Sequence, residues 1–267
     1  MRPLHGIGVL VTRPAQQAAP LCRLLESAGA SSHRLPAIEI EPVDVASDVQ
    51  TNSDRSAPSG GVPGGPLHLV IFMSANAVRL GLRLLERHGD VAVAALGPAT
   101  ARALREAGHT VAVLPQSGFD SESLLAHPRF NALGGRRVLL VKGCGGRELL
   151  ADELVRRGAV LEIAEVYRRV PARPDGAALQ AVERELAAGT IQVITATSLE
   201  IGANLLAMAT PTLRAAFDGL HWLVPSERVT AGLRRDGLSA PVLQADSAED
   251  QDLVAALVRW RSSVSGA

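Results

Sequence analysis

The residues best suited to chemistry in this chain stand where short apolar runs end. Thr12-Arg13, Ser74-Ala75-Asn76, Gly97-Pro98-Ala99-Thr100, Lys142-Gly143, Thr197-Ser198 and Pro225-Ser226 each follow such a run. They are small, hydroxylic or basic. In an open α/β sheet, ligands bind outside the carboxyl ends of the strands, where helix N-termini present backbone N–H groups. Small side chains let that backbone approach an anion, and hydroxyls and guanidinium forks add directed donors. Arg147, beside the run Gly143–Gly146, and Arg228, two residues after Ser226, extend the set. Lys142 is the chain's only lysine, so every other basic side chain is an arginine fork. Ser, Thr and Asn at these positions are also favoured as helix N-caps, so each hydroxyl has a capping reading beside its ligand reading.

The elements that position these residues are repeated. Residues 9–42 align with 138–171 at an offset of 129 without a gap: Val9 meets Val138, Arg13 meets Lys142, Gly29-Ala30 meets Gly158-Ala159 and Pro42 meets Pro171. Each copy reads strand, helix, Gly-Ala turn, strand, proline. A second unit also repeats, Val70–Ser74 with Val193–Thr197 and Leu104–Val113 with Leu233–Val242. Strands are expected near 8–12, 32–36, 68–73, 91–95, 111–114, 137–141, 160–163, 191–195, 221–224 and 241–244. Helices are expected at 15–28, 75–88, 98–107, 120–126, 146–157, 176–188, 199–208, 227–236 and 249–261. Strand and helix alternating in this way predict two similar α/β domains, each a doubly wound parallel sheet, with a ligand-binding cleft between them. Two divisions of the chain are open: tandem halves joined near residue 130, or a first βαβ unit packing with the last third of the chain. Residues 51–66 are rich in Ser, Gly and Pro and read as a flexible surface insertion.

Composition narrows the function classes. Acidic and basic residues balance at 27 each, so no overall field draws the chain to nucleic acid or to a membrane. Aromatic residues make up 3%, too few for a single-strand stacking platform. Cys22 and Cys144 form neither a disulfide framework nor a metal motif, and the histidines have no ligand spacing, so no metal is expected. Gly143–Gly146 lacks the spacing of a dinucleotide fingerprint. No secretory signal or membrane-spanning run is read, and a cytoplasmic protein is expected.

Taken in order, several stretches resemble the uroporphyrinogen-III synthase family: Val9–Pro14, Leu35–Ile40, Phe72–Val78, Ala95–Ala101, Gly118–Glu122, Gly145–Glu148, Val166-Tyr167-Arg168 and Val224-Pro225-Ser226. The resemblance runs over nearly the whole chain apart from the insertion. It implies flavodoxin-like domains formed by 1–36 with 175–267 and by 44–163. Linkers 37–43 and 164–174 would pair as a two-segment β-ladder hinge. It implies cyclisation of hydroxymethylbilane to uroporphyrinogen III, with loss of water, inversion of ring D and no cofactor. The partner would be that small substrate, in a monomer touching the preceding pathway enzyme only transiently. Tyr167, the only tyrosine, becomes the candidate for assisting departure of the hydroxyl. Thr12, Arg13, Ser74, Asn76, Thr100, Lys142, Arg147, Thr197, Ser198, Ser226 and Arg228 become candidate contacts for the substrate's carboxylates. The second-half counterpart of Gly97–Thr100 is slipped by one residue, and Arg228 is read as the substitute for Thr100 there. The competing reading is a two-domain protein that closes on a small anion without chemistry.

Overall fold

A computed structural model describes residues 2–44, 50–51, 65–146 and 148–265. Of the insertion expected over 51–66, residues 52–64 lie outside the described residues, as does Arg147. In chain order the strands are β1 (Gly8–Val11), β2 (Ser31–Arg34), β3 (Ile38–Pro42), β4 (Gln50–Thr51), β5 (Leu67–Phe72), β6 (Ala92–Ala95), β7 (Arg137–Gly143), β8 (Val160–Pro171), β9 (Val193–Thr195), β10 (His221–Val224) and β11 (Val242–Gln244). The helices are α1 (Ala15–Ser27), α2 (Ala75–Glu86), α3 (Pro98–Glu106), α4 (Ser121–Leu125), α5 (Leu149–Arg156), α6 (Gly176–Ala187), α7 (Leu199–Met208), α8 (Pro211–Asp218), α9 (Glu227–Arg235) and α10 (Asp250–Ser265).

The chain divides into two compact units, Met1–Glu39 with Val170–Ala267, and Ile40–Arg169. In the first, the sheet order is β2-β1-β9-β10-β11 with every neighbour parallel. That is the 2-1-3-4-5 order of a flavodoxin-like doubly wound sheet. Val9 pairs with Val193, not with any residue of β5. Val9, Val11, Val193 and Leu223 share a core with Leu21 and Leu25 of α1 and with Leu253 and Leu257 of α10. Thr12 and Thr195 are fully buried in this unit. The Thr12 hydroxyl donates to the Thr195 carbonyl, and the Thr195 hydroxyl donates to Leu10 O at 3.2 Å.

In the second unit the order is β3-β8-β7-β5-β6, and Val113 adds a single parallel bridge to Ala94. Strands β5 to β8 are mutually parallel. Alternation along β5 explains the two layers: Val70 and Phe72 join one core with α2 and α3 residues, while Leu69 and Ile71 join another with Leu124, Leu150 and Leu154. Burying a side chain such as Phe72 contributes about 1.5–3 kcal/mol. Two strands depart from the parallel expectation. β4 pairs antiparallel with β8, and Val43 donates to Val166 while Ala172 donates to Ala37, so β3 also runs against β8.

Local signals account for most boundaries. Ser74, Asp175, Ser198 and Thr210 accept from the N–H three residues on and start α2, α6, α7 and α8. Gly29 and Gly158, equivalent in the repeat, take positive φ of 99° and 83° just past α1 and α5. Three expectations shift. The helix expected from 146 begins at Leu149, because Gly145 and Gly146 are left-handed. The strand expected at 111–114 is reduced to one bridge, next to Pro115, which has no N–H to donate. The strand expected at 160–163 continues to Pro171, and α8 was not expected at all. Among the described residues no helix is long and apolar enough to cross a membrane.

Replacing Thr195 by Val keeps its shape but leaves the Thr12 N–H without its 3.3 Å acceptor. Urea unfolding of Thr195→Val is expected to show a loss of about 1–3 kcal/mol. No change in the midpoint would show that the buried pair adds nothing.

Candidate functional site

In the second unit the chain reverses its direction of travel across the sheet between β5 and β7: β5 is followed by β6 on one side, β7 by β8 on the other. Such a switch point opens a crevice at the carboxyl ends of the strands. A pocket of about 380 Å³ lies there, lined by Met73 and Ser74 after β5, Lys142 to Gly146 at the end of β7, Tyr167 of β8 and Phe119 ahead of α4. This volume is at the small end of the ~300–1,000 Å³ range of small-molecule sites, so it suits part of an extended ligand.

Tyr167 is held from three directions. The pairing of β7 with β8 slips between Lys142 and Gly143, which sets Gly143 opposite Tyr167. The ring then occupies the space of a side chain at 143: a Cβ there would lie 2.5 Å from the Tyr167 Cζ. Only glycine allows this contact. The Cys144 N–H donates to the Tyr167 carbonyl at 2.7 Å. The phenol oxygen is 3.1 Å from the Ser74 Oγ, and that Oγ also accepts from Ala77 N at 3.0 Å. Ser74 therefore caps α2 and touches the phenol at once, so its capping and site readings coexist.

Lys142 is 14% exposed, with its Nζ 3.5 Å from a Glu165 carboxylate oxygen. That oxygen also accepts from Gly145 N at 3.3 Å. Burial pushes the Cys144 thiol above its ordinary pKa, and the charge of Glu165 and a hydrogen bond to it push the same way. Among the described residues no three His, Cys, Asp or Glu side chains are grouped to hold a metal.

The remaining sequence candidates are distributed differently. Asn76 is buried and accepts from Arg79 at 2.8 Å, and Thr100 is buried on α3. In the first unit, Arg13 is bound to Asp250 and to the Ala248 carbonyl, and Thr12 is sealed in the sheet. Ser198 caps α7, with Thr197 half-buried beside it. Ser226 stands at the N-cap of α9 without a side-chain cap bond, and Arg228 is exposed in its first turn. Thus Ser74, Lys142 and Tyr167 share one pocket in the second unit, while Thr12, Arg13, Thr197, Ser198, Ser226 and Arg228 belong to the first. Sequence reading missed Phe119, Gly143 as the seat of the ring, and Glu165. A signal for Phe119 was present: an aromatic between Gly118 and Asp120, in a loop, in an aromatic-poor chain.

A family model described as "Uroporphyrinogen-III synthase HemD" matches residues 19–255. The uroporphyrinogen-III synthase of Salmonella typhimurium is 32% identical over 271 residues, covering 94% of this chain and all of that protein. That of Escherichia coli is 29% identical over 264 residues, with the same coverage. Among solved structures, uroporphyrinogen-III synthetase from Helicobacter pylori aligns with a TM-score of 0.59 at 15% identity, over 95% of this chain and 99% of that one. A mutant uroporphyrinogen III synthase from Thermus thermophilus aligns at 0.52 and 20% identity, over 98% and 100%. These two share the fold.

The raised thiol pKa has a direct readout. At about pH 8 Cys144 should carry less thiolate than an ordinary cysteine and react more slowly with iodoacetamide than glutathione does. Glu165→Gln removes a negative neighbour and should speed that reaction. Peptide mapping by mass spectrometry measures both, and an unchanged rate in Glu165→Gln would remove Glu165 as a cause.

Proposed function

The chain belongs to the uroporphyrinogen-III synthase family, and on that premise we propose that it closes hydroxymethylbilane to uroporphyrinogen III. It is a lyase of tetrapyrrole biosynthesis: water leaves, the ring closes, and ring D is inverted. The observation that carries the reading into geometry is the phenol of Tyr167, held against Ser74 in a pocket that also contains Lys142.

The chemistry asks for placement more than for a strong acid or nucleophile. The pyrrole nitrogen supplies the electron pair that expels the terminal hydroxyl, leaving an azafulvene. That electrophile is attacked by the substituted carbon of ring D, and the resulting spiro intermediate opens and recloses with ring D reversed. Left alone, the linear chain closes to the symmetric I isomer. The protein must therefore hold ring D over the azafulvene, and positioning is its main contribution. Tyr167 gives its proton to the departing hydroxyl, which leaves as water, and the phenolate is reprotonated when ring D releases its α-hydrogen on reclosure. If Ser74 donates to the phenol oxygen, the phenol proton is turned towards the pocket, where the leaving group sits. Lys142 is the cation for a substrate carboxylate in this pocket, and Glu165 limits its excess charge when the pocket is empty. Ser226 and Arg228, with Thr197 and Ser198, are the expected anion contacts of the first unit. Thr12 and Arg13, both already bonded within the first unit, support its turns, while Asn76 and Thr100 are buried on α2 and α3 of the second. Arg147 is proposed, from its sequence position alone, as a further contact for a substrate carboxylate.

We place the reaction in the cytoplasm, in a monomer that meets the enzyme supplying hydroxymethylbilane only transiently. No metal or organic cofactor enters the scheme.

Purified protein given fresh hydroxymethylbilane, without metal or nucleotide, should yield mainly the III isomer after oxidation. A binder without chemistry would leave the background of I isomer unchanged, and that outcome would falsify the assignment. Tyr167→Phe should lower kcat about tenfold, less than the usual 10²–10⁴ of a general acid, because the pyrrole does most of the work. Ser74→Ala should lose activity in the wild type but far less in the Tyr167→Phe background. Its loss of the α2 cap is common to both arms and cancels. Equal losses in the two backgrounds would separate Ser74 from the phenol.

A further inference from the structure

We propose that Phe119 contacts the substrate, its ring forming a wall of the pocket against one pyrrole of the linear tetrapyrrole. The inference rests on the synthase reading of the same pocket.

Phe72, Phe130 and Phe217 are fully buried, whereas Phe119 is 43% exposed. It is also the only described residue other than glycine with positive φ, at 42°. A left-handed backbone is unfavourable for a side chain of this size, and an aromatic left 43% exposed forgoes much of the stabilisation that full burial gives the other three. Both costs fall on one residue, which lines the pocket with Ser74, Lys142 and Tyr167.

The surrounding loop enforces the conformation. Gly118, immediately before, has φ of 84°, and a Cβ there would meet the Ser123 hydroxyl at 2.0 Å. Immediately after, the Asp120 carboxylate accepts from Ser123 N at 2.8 Å and starts α4. The loop is thus pressed on the first turn of α4 from both sides of Phe119. On the other side, Phe119 Cβ lies 3.6 Å from where a Gly97 Cβ would stand, beyond the end of β6. Strain of this kind persists where the surroundings over-determine it, and it gathers at ligand sites. A pyrrole presents two apolar faces and a polar N–H edge. The pocket offers Met73, Leu96 and Leu140 as apolar lining and the Ser74–Tyr167 pair as polar groups. An aromatic face completes that chemistry, since offset or edge-to-face ring pairs are favourable beyond the area they bury.

The test compares Phe119→Gly, Phe119→Asn and Phe119→Tyr with the wild type in Tm, kcat and KM for hydroxymethylbilane. Glycine and asparagine both tolerate left-handed backbone, so both variants should keep or raise Tm. Both should raise KM about three- to tenfold, the worth of a lost ring pair, with kcat little changed. Phe119→Tyr should keep KM within about twofold, because its ring is retained. Wild-type KM in a folded Phe119→Gly or Phe119→Asn protein would overturn the proposal. So would a lowered Tm in both, which would make Phe119 a packing residue. If the wild type forms no III isomer above background, the synthase reading fails and this one with it. An active wild type with unaltered variants removes Phe119 alone.

Discussion

The ring of Tyr167 lies on the backbone of Gly143, in space that any other residue at 143 would fill. The slip in the β7–β8 pairing makes this contact, and the rest of the pocket follows from it. With the ring seated there, the phenol reaches Ser74 at the start of α2. The strand beyond Gly143 then turns away through Cys144, whose N–H is anchored on the Tyr167 carbonyl. Chain from β5, β7 and β8 is thereby tied at one point by a side chain, a missing side chain and two hydrogen bonds. A catalytic phenol gains from such restraint, because its contribution depends on where its proton points.

Several arginines, by contrast, serve as structure. Arg157 donates to the carbonyls of Leu125 and Phe130, at 2.8 and 3.2 Å. Arg214 reaches Leu206 O and Asp236 O, both at 3.2 Å, and Arg234 reaches Leu238 O at 2.7 Å. Leu125, Leu206 and Asp236 lie at or near the ends of α4, α7 and α9, where carbonyls lack helical partners. Five fixed donors suit a guanidinium to several such acceptors at once. Arg13, with Asp250 and Ala248, follows the same pattern. The one lysine differs: it stands at the pocket, with a single weakly placed carboxylate beside it.

How far the sequence could be read depended on whether a signal was local. Parallel layered sheets were legible because apolar strands and amphipathic helices alternate, and the glycines that end α1 and α5 repeat at a fixed offset. The repeat also carries the strand order. β7 and β8 stand in the second sheet where β1 and β2 stand in the first, and β5 and β6 stand where β9 and β10 do. Thus the same 2-1-3-4-5 pattern is traced from two different starting points. What was illegible is non-local. Nothing near Thr12 or Arg13 announces that Thr195 and Asp250 consume their donors. Nothing near Tyr167 announces Gly143, and positive φ at Phe119 is imposed by Ser123 and Asp120. Helix α8 is a different case, since Thr210 and Pro211 are ordinary local start signals.

The discontinuity of the first unit bears on how the chain folds as it is made. β1 is a central strand, flanked by β2 and β9. Gly8 of β1 is bonded to Gln192, 184 residues further on. At ~5–20 residues per second, that partner emerges roughly 10–40 s after β1 does. Through this interval the four apolar or small residues of β1 have one neighbour only, supplied by the hairpin-like βαβ segment of α1 and β2. The second unit, by contrast, is a continuous stretch from Ile40 to Arg169 and can close in the meantime. Its closure draws β3 against β8 and so shortens the loop that separates β1 from β9, reducing the entropy lost on joining them. A change that slows folding of the inserted unit would therefore surface as aggregation through an unpaired edge of β1, in a part of the molecule it does not touch.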